Sequence, residues 1–433
     1  MVTIGLSDPA KSEVAPPGDT REQITAASLL GETTGIEMVH NANFMPIEPA
    51  GAARHAFSGM LSVPETFAQP VSGRFPGFSI AFFSHDGNLI PADQGIVPGG
   101  IGTWDLILSP GRVWSEDSDG GWSRASFPFV LLGRVWGDTH NGIATFLYNE
   151  TEVSDLRVQI VQESSAKKTF DGTAQLPMSY APGAVADRDV LEGRFTSAWE
   201  SAPEIRAFSE LASLADTALL AAFDGEAQDI TVSALLIGDV LYATPCQTRF
   251  GDFPYCNEMR HGVYSVSKSL GAALSLLRLA QVYGDQVVDL RLADYLDVTA
   301  DHDGWDNVTF GDALDMATGV GDNAPNRDPL WTGYMADEGS TLRNRIASAP
   351  DMQTMLATAF SGGNYPWGPG EVPRYNSAHT ILLTVAMDSF LKTQEGPGAD
   401  LWSMMTEDVL VPIGVLEMPV MRWNTDDGKP GVP

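Results

Sequence analysis

The sequence predicts an α+β protein in two parts, a β-rich N-terminal half and a second half built around one apolar helix. Three observations carry that reading. Short apolar runs are separated by glycine and proline from about 35 to 185. The texture changes to helical spacing after Pro182-Gly183. A nearly unbroken apolar segment then opens at Ser265. With 433 residues the chain exceeds the size at which a single core is usual, so two domains are expected. The predicted boundaries are 1–30 for a flexible lead-in, 31–190 for a β-rich domain of unassigned function, and 191–433 for the second domain.

Residues 1–30 are polar and rich in Pro, Ser and Ala, as in poorly ordered segments. In the β-rich part, 103–108, 127–132 and 143–148 read as strands. The clearest strand is 155–160, where Leu156, Val158 and Ile160 alternate with Asp155, Arg157 and Gln159, the pattern of one buried and one solvated face. Trp104, Trp114, Trp122 and Trp136 are candidates to line a binding surface, although indoles in a β domain more often pack the core. In the second part, 204–223 has helical spacing after Ala202-Pro203. Residues 230–237 and 240–243 are β-branched runs joined by Gly238-Asp239, a pair suited to a tight hairpin. From Ser265 to about Val282 apolar residues cover almost the whole circumference, which predicts a helix buried at the domain centre.

Composition narrows the partners. With 25 basic against 56 acidic residues the formal charge is -31. A surface so anionic repels nucleic acid and anionic lipid, and it keeps a protein hydrated in salty surroundings. The most apolar stretch, 270–282, is too short to span a bilayer and carries Arg278, so no membrane insertion is expected. The start has no basic region followed by an apolar one, so no secretory signal is expected in this chain. The compartment stays open, cytoplasmic or periplasmic if a signal was removed. Cys246 and Cys256 could close a disulfide in an oxidising compartment or stand as two buried thiols. The seven histidines show neither HExxH nor HxH spacing, and no motif implies a metal or an organic cofactor. Oligomeric state is not legible.

The residues with chemistry begin with Ser265-Val266-Ser267-Lys268. On a helix, positions i and i+3 share a face, so the Lys268 amine can reach the Ser265 hydroxyl. A hydroxyl at neutral pH is a weak nucleophile and must lose its proton to a positioned base as it attacks. Lys268 is one such base, or the cation that makes another base available. The second candidate is Tyr375, in Pro-Arg-Tyr-Asn-Ser, 110 residues downstream and just before an apolar helix-like segment. An ammonium beside a phenol favours its anion, so the pair could shuttle a proton to a leaving group. The Ser265 backbone N–H, near a helix start, would supply half of an oxyanion hole. The plain alternative makes Ser265 a helix cap, Lys268 a solvated first-turn residue and Tyr375 a core aromatic.

The wider pattern over about 204–420 resembles the serine β-lactamase-like superfamily, which includes class C β-lactamases, family VIII carboxylesterases and penicillin-binding proteins. Beyond Ser265 and Lys268, the resemblance rests on Val288-Asp289-Leu290 and Asp294-Tyr295-Leu296, and on Val308-Thr309-Phe310-Gly311-Asp312-Ala313-Leu314 running into Ala317-Thr318-Gly319-Val320. It also rests on Pro369-Gly370 ahead of Tyr375-Asn376-Ser377. The resemblance implies a nucleophile helix packed on an antiparallel sheet, with Ser265 acylated, Lys268 its proton partner and Tyr375 the acid/base. Asn376 and Ser377 are the candidate substrate-binding residues.

The implied activity is that of a serine hydrolase, first a carboxylesterase on small esters. The alternatives are an amidase or peptidase acting on D-amino-acid or ω-amino-acid oligomers or on a β-lactam, and a catalytically silent ligand-binding member. Two departures bear on the choice. Ser377 stands where the family has asparagine, which weakens contacts to a substrate amide and favours esters. A third motif of the [KH]-[ST]-G type is expected well after the tyrosine, and the chain has none there. The expectation is therefore a C-terminally incomplete copy of a longer enzyme, with low or absent catalysis. His140-Asn141-Gly142, followed by strand-like 143–148, is a candidate for that motif supplied from the N-terminal half.

Overall fold

The computed structural model describes residues 24–31, 36–68, 73–134, 137–165, 170–213, 230–321, 346, 349–413 and 415. The chain forms two compact units, Met1–Gly262 and Val263–Pro433. The division falls at Gly262, downstream of the boundary near 190 that the sequence suggests.

The first unit is dominated by antiparallel strands: β1 (Ser58–Val63), β2 (Thr66–Ala68), β3 (Gly73–Phe75), β4 (Phe78–His85), β5 (Asn88–Pro91), β6 (Trp104–Leu108), β7 (Gly111–Trp114), β8 (Ser123–Gly133), β9 (Thr139–Tyr148), β10 (Leu156–Ser164), β11 (Gly172–Leu176) and β12 (Ser179–Pro182). Ten of them make one sheet in the order β11-β10-β9-β8-β7-β5-β4-β1-β12, with β6 also paired to β8. Its two end strands, β11 and β12, are separated in sequence by only Pro177-Met178. A link that short spans roughly 10 Å, so the sheet must curl until its ends nearly meet. Aromatic side chains fill the inside, among them Phe57, Phe82, Trp104, Phe127, Phe129 and Phe146. Phe57 meets Tyr148 edge-on at 5.1 Å, the arrangement ring quadrupoles prefer. Trp104 and Trp114 are thus core residues, Trp122 is half-buried, and Trp136 lies outside the described residues.

The outside of β8, β9 and β10 is covered as well, which departs from the one-sided strand expected at 155–160. Arg157 and Gln159 are buried. Ile143, Leu147 and Val161 pack there with Ile24, Leu29, Val39 and Phe44 from one direction and Cys246, Phe253 and Met259 from another. Polar residues on this face serve as fasteners. Gln159 Nε2 donates to the Val39 carbonyl at 2.7 Å, and its Oε1 accepts from the Val39 N–H at 2.9 Å. Asn141 does the same for Arg260, accepting from its N–H at 2.9 Å and donating to its carbonyl at 2.7 Å. Tyr255 donates to the Ser126 carbonyl at 3.0 Å. Arg124 pairs with Asp119 at 2.6 Å and also donates to the Ile24 carbonyl at 3.0 Å. These bonds place 246–262 in the first unit and draw the last residues of the supposed lead-in, helix α1 (Ala26–Leu30), into its outer layer. Cys246 and Cys256 form a disulfide within that covering layer, which decides between the two states the sequence left open.

A helix, α2 (Arg188–Ser201), precedes a small sheet of β13 (Glu204–Ala207), β14 (Ala234–Ile237) and β15 (Val240–Ala243), ordered β13-β15-β14. The hairpin between β14 and β15 turns at Gly238, φ +61°, as the Gly-Asp pair predicts. The helical spacing at 204–223 does not hold at its start, because 204–207 pairs in parallel with β15; 214–229 lie outside the described residues. Ile205, Leu241 and Leu236 share one face of this sheet in register, flanked by Ala207, Ala243 and Ala234.

The second unit is mainly helical. It comprises α3 (Leu274–Tyr283), α4 (Phe310–Leu314), α5 (Met352–Ala359), α6 (Ser377–Glu395) and α7 (Leu401–Met405). Among its described residues the only strands are the two-residue pair β16 (Val320–Gly321) and β17 (Gly363–Asn364). Leu276, Leu279, Phe310, Leu382, Met387 and Leu401 form its core. The segment at 265–283 corrects the expectation of a helix buried on all sides against a sheet. Within this unit it packs on other helices, and Leu277 is 64% exposed and Val266 57%. An all-round apolar pattern specifies which faces can be buried; how many are buried is set by the neighbours.

Candidate active site

Ser265 lies in a short 3₁₀ turn, Tyr264–Val266, that follows no regular helix start. Tyr264 has φ +44°, a left-handed conformation that a bulky residue adopts only when its surroundings enforce it. After Lys268 the chain widens into a π-helical turn, Ser269–Ala273, before α3 begins. Such turns shift the faces of a helix relative to one another and recur at functional sites. Gly271 and Ala272 face the core, while Ser265 stays exposed.

The hydroxyl, amine and phenol predicted to act together meet here. Lys268 Nζ is 3.3 Å from Ser265 Oγ and 2.9 Å from the Tyr375 hydroxyl. Ser265 Oγ and the Tyr375 hydroxyl are hydrogen-bonded to each other. The ammonium also sits 5.1 Å from the centroid of the Tyr375 ring, where the ring face attracts a cation. The Tyr375 hydroxyl is thus within direct proton-transfer reach of both Lys268 Nζ and Ser265 Oγ, and Lys268 Nζ lies at the edge of that reach from Ser265.

Tyr375 reaches this point from a framed loop. Gly370 N–H donates to the Ala317 carbonyl at 2.7 Å, Tyr365 N–H to Gly319 at 2.9 Å, and Arg374 N–H to Met316 at 2.8 Å. Gly319 has φ +72°, and a Cβ there would lie 2.9 Å from the Gly368 carbonyl carbon, so glycine is needed for the close approach. Thr318 Oγ1 contacts His379 Nε2 of α6 at 3.2 Å, tying the same loop to the helix that follows Tyr375. The helix expected at 308–314 is α4, with Thr309 and Asp312 making a capping box.

Asn376 is buried, and its Oδ1 accepts from the Ala378 N–H at 2.9 Å as the N-cap of α6. Its acceptor is therefore engaged in the helix cap rather than offered to a substrate. Ser377 is the first residue of α6 and half-buried. His140 lies within β9, fully buried, stacked at 4.0 Å on Phe170 and edge-on to Trp104 at 4.9 Å. Gly142 is explained by packing: a Cβ there would lie 2.2 Å from the Phe129 ring. Of the four aromatics in the loop-rich stretch 321–368 that could wall a pocket or simply pack, Trp331 and Tyr334 lie outside the described residues, while Tyr365 and Trp367 stack on each other.

Sequence reasoning missed Arg374 and His379, which frame Tyr375, and read Thr318 only as part of the 317–320 loop. The signal for Arg374 was its place beside the tyrosine, but its ring partners are seven and nine residues upstream in irregular chain. Among the described residues no group of three or more His, Cys, Asp or Glu side chains is placed to hold a metal ion. No helix among them is long and apolar enough to cross a membrane. No protein-family model, curated protein or solved structure matches the chain.

Proposed function

We propose that this protein is a serine hydrolase that forms an acyl-enzyme on Ser265, acting on small carboxylic esters. The observation that carries the reading is the mutual contact of Ser265, Lys268 and Tyr375, with Lys268 Nζ 3.3 and 2.9 Å from the two oxygens. Tyr375, held beside Lys268, is the acid/base. Ser265 Oγ attacks the ester carbonyl carbon as its proton passes to the Lys268–Tyr375 pair. The tetrahedral intermediate collapses, the carbon–alkoxy bond breaks, and the alcohol leaves with the proton from Tyr375. Water then attacks the acyl carbon, Tyr375 takes its proton and returns it to Ser265, and the carboxylic acid departs. The Ser265 N–H is the candidate donor to the developing oxyanion.

An ester substrate is favoured over an amide because Ser377 stands where the family has asparagine, and a serine hydroxyl is a shorter, weaker partner for a substrate amide. The test is turnover of p-nitrophenyl butyrate with labelling by a fluorophosphonate probe. Parent protein should be labelled at Ser265, and Ser265→Ala should lose labelling and reduce turnover at least about 10³-fold. Labelling that survives Ser265→Ala would remove the nucleophile assignment.

A further inference from the structure

We infer that Arg374 is a positioning residue for Tyr375, acting through a cation–π clamp on Tyr365 and Trp367; the inference rests on the serine-hydrolase reading. Tyr365 and Trp367 are stacked with centroids 4.7 Å apart and planes 8° from parallel. The Arg374 guanidinium carbon lies 5.9 Å from the first ring centroid and 5.5 Å from the second. Arg374 is only 4% exposed, so the clamp works away from bulk water, where a cation on a ring face interacts most strongly. A flat guanidinium suits a pair of ring faces; a lysine ammonium would keep charge without that shape.

The clamp has a direct line to the phenol. Arg374 is also held by its backbone, through the 2.8 Å bond to Met316. On the other side of Tyr375, Asn376 is pinned as the cap of α6. Tyr375 is thus strung between two fixed residues, and its ring can reorient only through the few torsions between them. The rings that hold Arg374 are themselves fixed, since Tyr365 N–H is bonded to Gly319 at 2.9 Å. Loosening the clamp should let the phenol oxygen drift from Lys268 and Ser265. A misplacement of about 1 Å in a catalytic group can cost about 100-fold in rate.

The test uses the full chain with p-nitrophenyl butyrate, and with 3-fluorotyrosine at position 375 read by fluorine NMR. Arg374→Met keeps bulk and loses the cation. It should lower kcat roughly 10- to 100-fold with KM within about twofold, and should shift or broaden the fluorine signal. Arg374→Lys should recover part of the loss, and Trp367→Leu should reproduce the Arg374→Met defect. Parent-like kcat and fluorine signal in Arg374→Met would overturn the inference, as would a loss that appears only as raised KM. If Arg374→Met does not fold, Arg374→Lys and Trp367→Leu decide by the same criteria. If Ser265→Ala leaves turnover unchanged, the hydrolase reading fails separately. The fluorine signal alone then decides whether Arg374 positions Tyr375.

Discussion

In the first unit Arg124 grips Asp119, Gln159 takes both backbone groups of Val39, and Asn141 takes both of Arg260. In the second unit Ser265, Lys268 and Tyr375 bond to one another at a partly exposed point. The first set binds distant segments to a sheet, so each polar pair has a covering strand or loop to hold. The second set gathers three exchangeable protons within a few ångströms, and α6, capped by Asn376, begins right after Tyr375. Buried polar groups that fasten backbone mark architecture; side chains able to exchange protons with one another mark a candidate for chemistry.

The comparison breaks most visibly at Ser265. The expected loss of labelling in Ser265→Ala should come with unchanged thermal unfolding, because an exposed hydroxyl in an irregular turn holds little of either core. A large fall in melting temperature would mean that the serine is structural. Next in size is the covering layer of the first unit. Closing a loop with a sequence separation of 10, the Cys246–Cys256 bridge should contribute about 3 kcal/mol on the chain-entropy account. Denaturant unfolding of Cys256→Ser measures it, and a loss well under 1 kcal/mol would show the layer to be held by its packing and hydrogen bonds without the bridge.

A smaller effect is expected in the second unit from Thr309→Ala, which removes the N-cap of α4 and should cost about 1 kcal/mol by the same measurement. The smallest concerns alkaline pH. Hydrogen bonding to Glu395 pushes the Tyr283 phenol up to about 12. The folded state then keeps a proton that the unfolded chain gives up near pH 10. That contribution is complete below about pH 10 and is lost as the pH rises toward about 12. In Tyr283→Phe the melting temperature should fall less steeply across this window; an identical slope would exclude the contact as its source.

Much of the candidate site was legible because its first half is local. Ser265 and Lys268 are three residues apart, and any helical turn brings such a pair together. The β-rich first half was legible through short apolar runs between glycines, which the structure matches at β6, β8 and β9. The alternation at 155–160 misled on burial because it records side-chain polarity, whereas Arg157 and Gln159 are covered by chain arriving from residues 36–45. The helical spacing at 204–207 yielded to pairing with β15, a contact that a periodicity window does not contain. Arg374 was passed over because a lone arginine carries no periodic signal.

By itself, the sequence determined the strand-rich character of the first half, the turn at Gly238, and the closeness of Ser265 to Lys268. These depend on torsions and spacings within a few residues. Only the tertiary structure decided that Tyr375 arrives at that pair, that Arg374 lies on Tyr365 and Trp367, and that the first unit extends to Gly262. Each of those depends on which distant surfaces exclude water together, and that property belongs to no single stretch of chain.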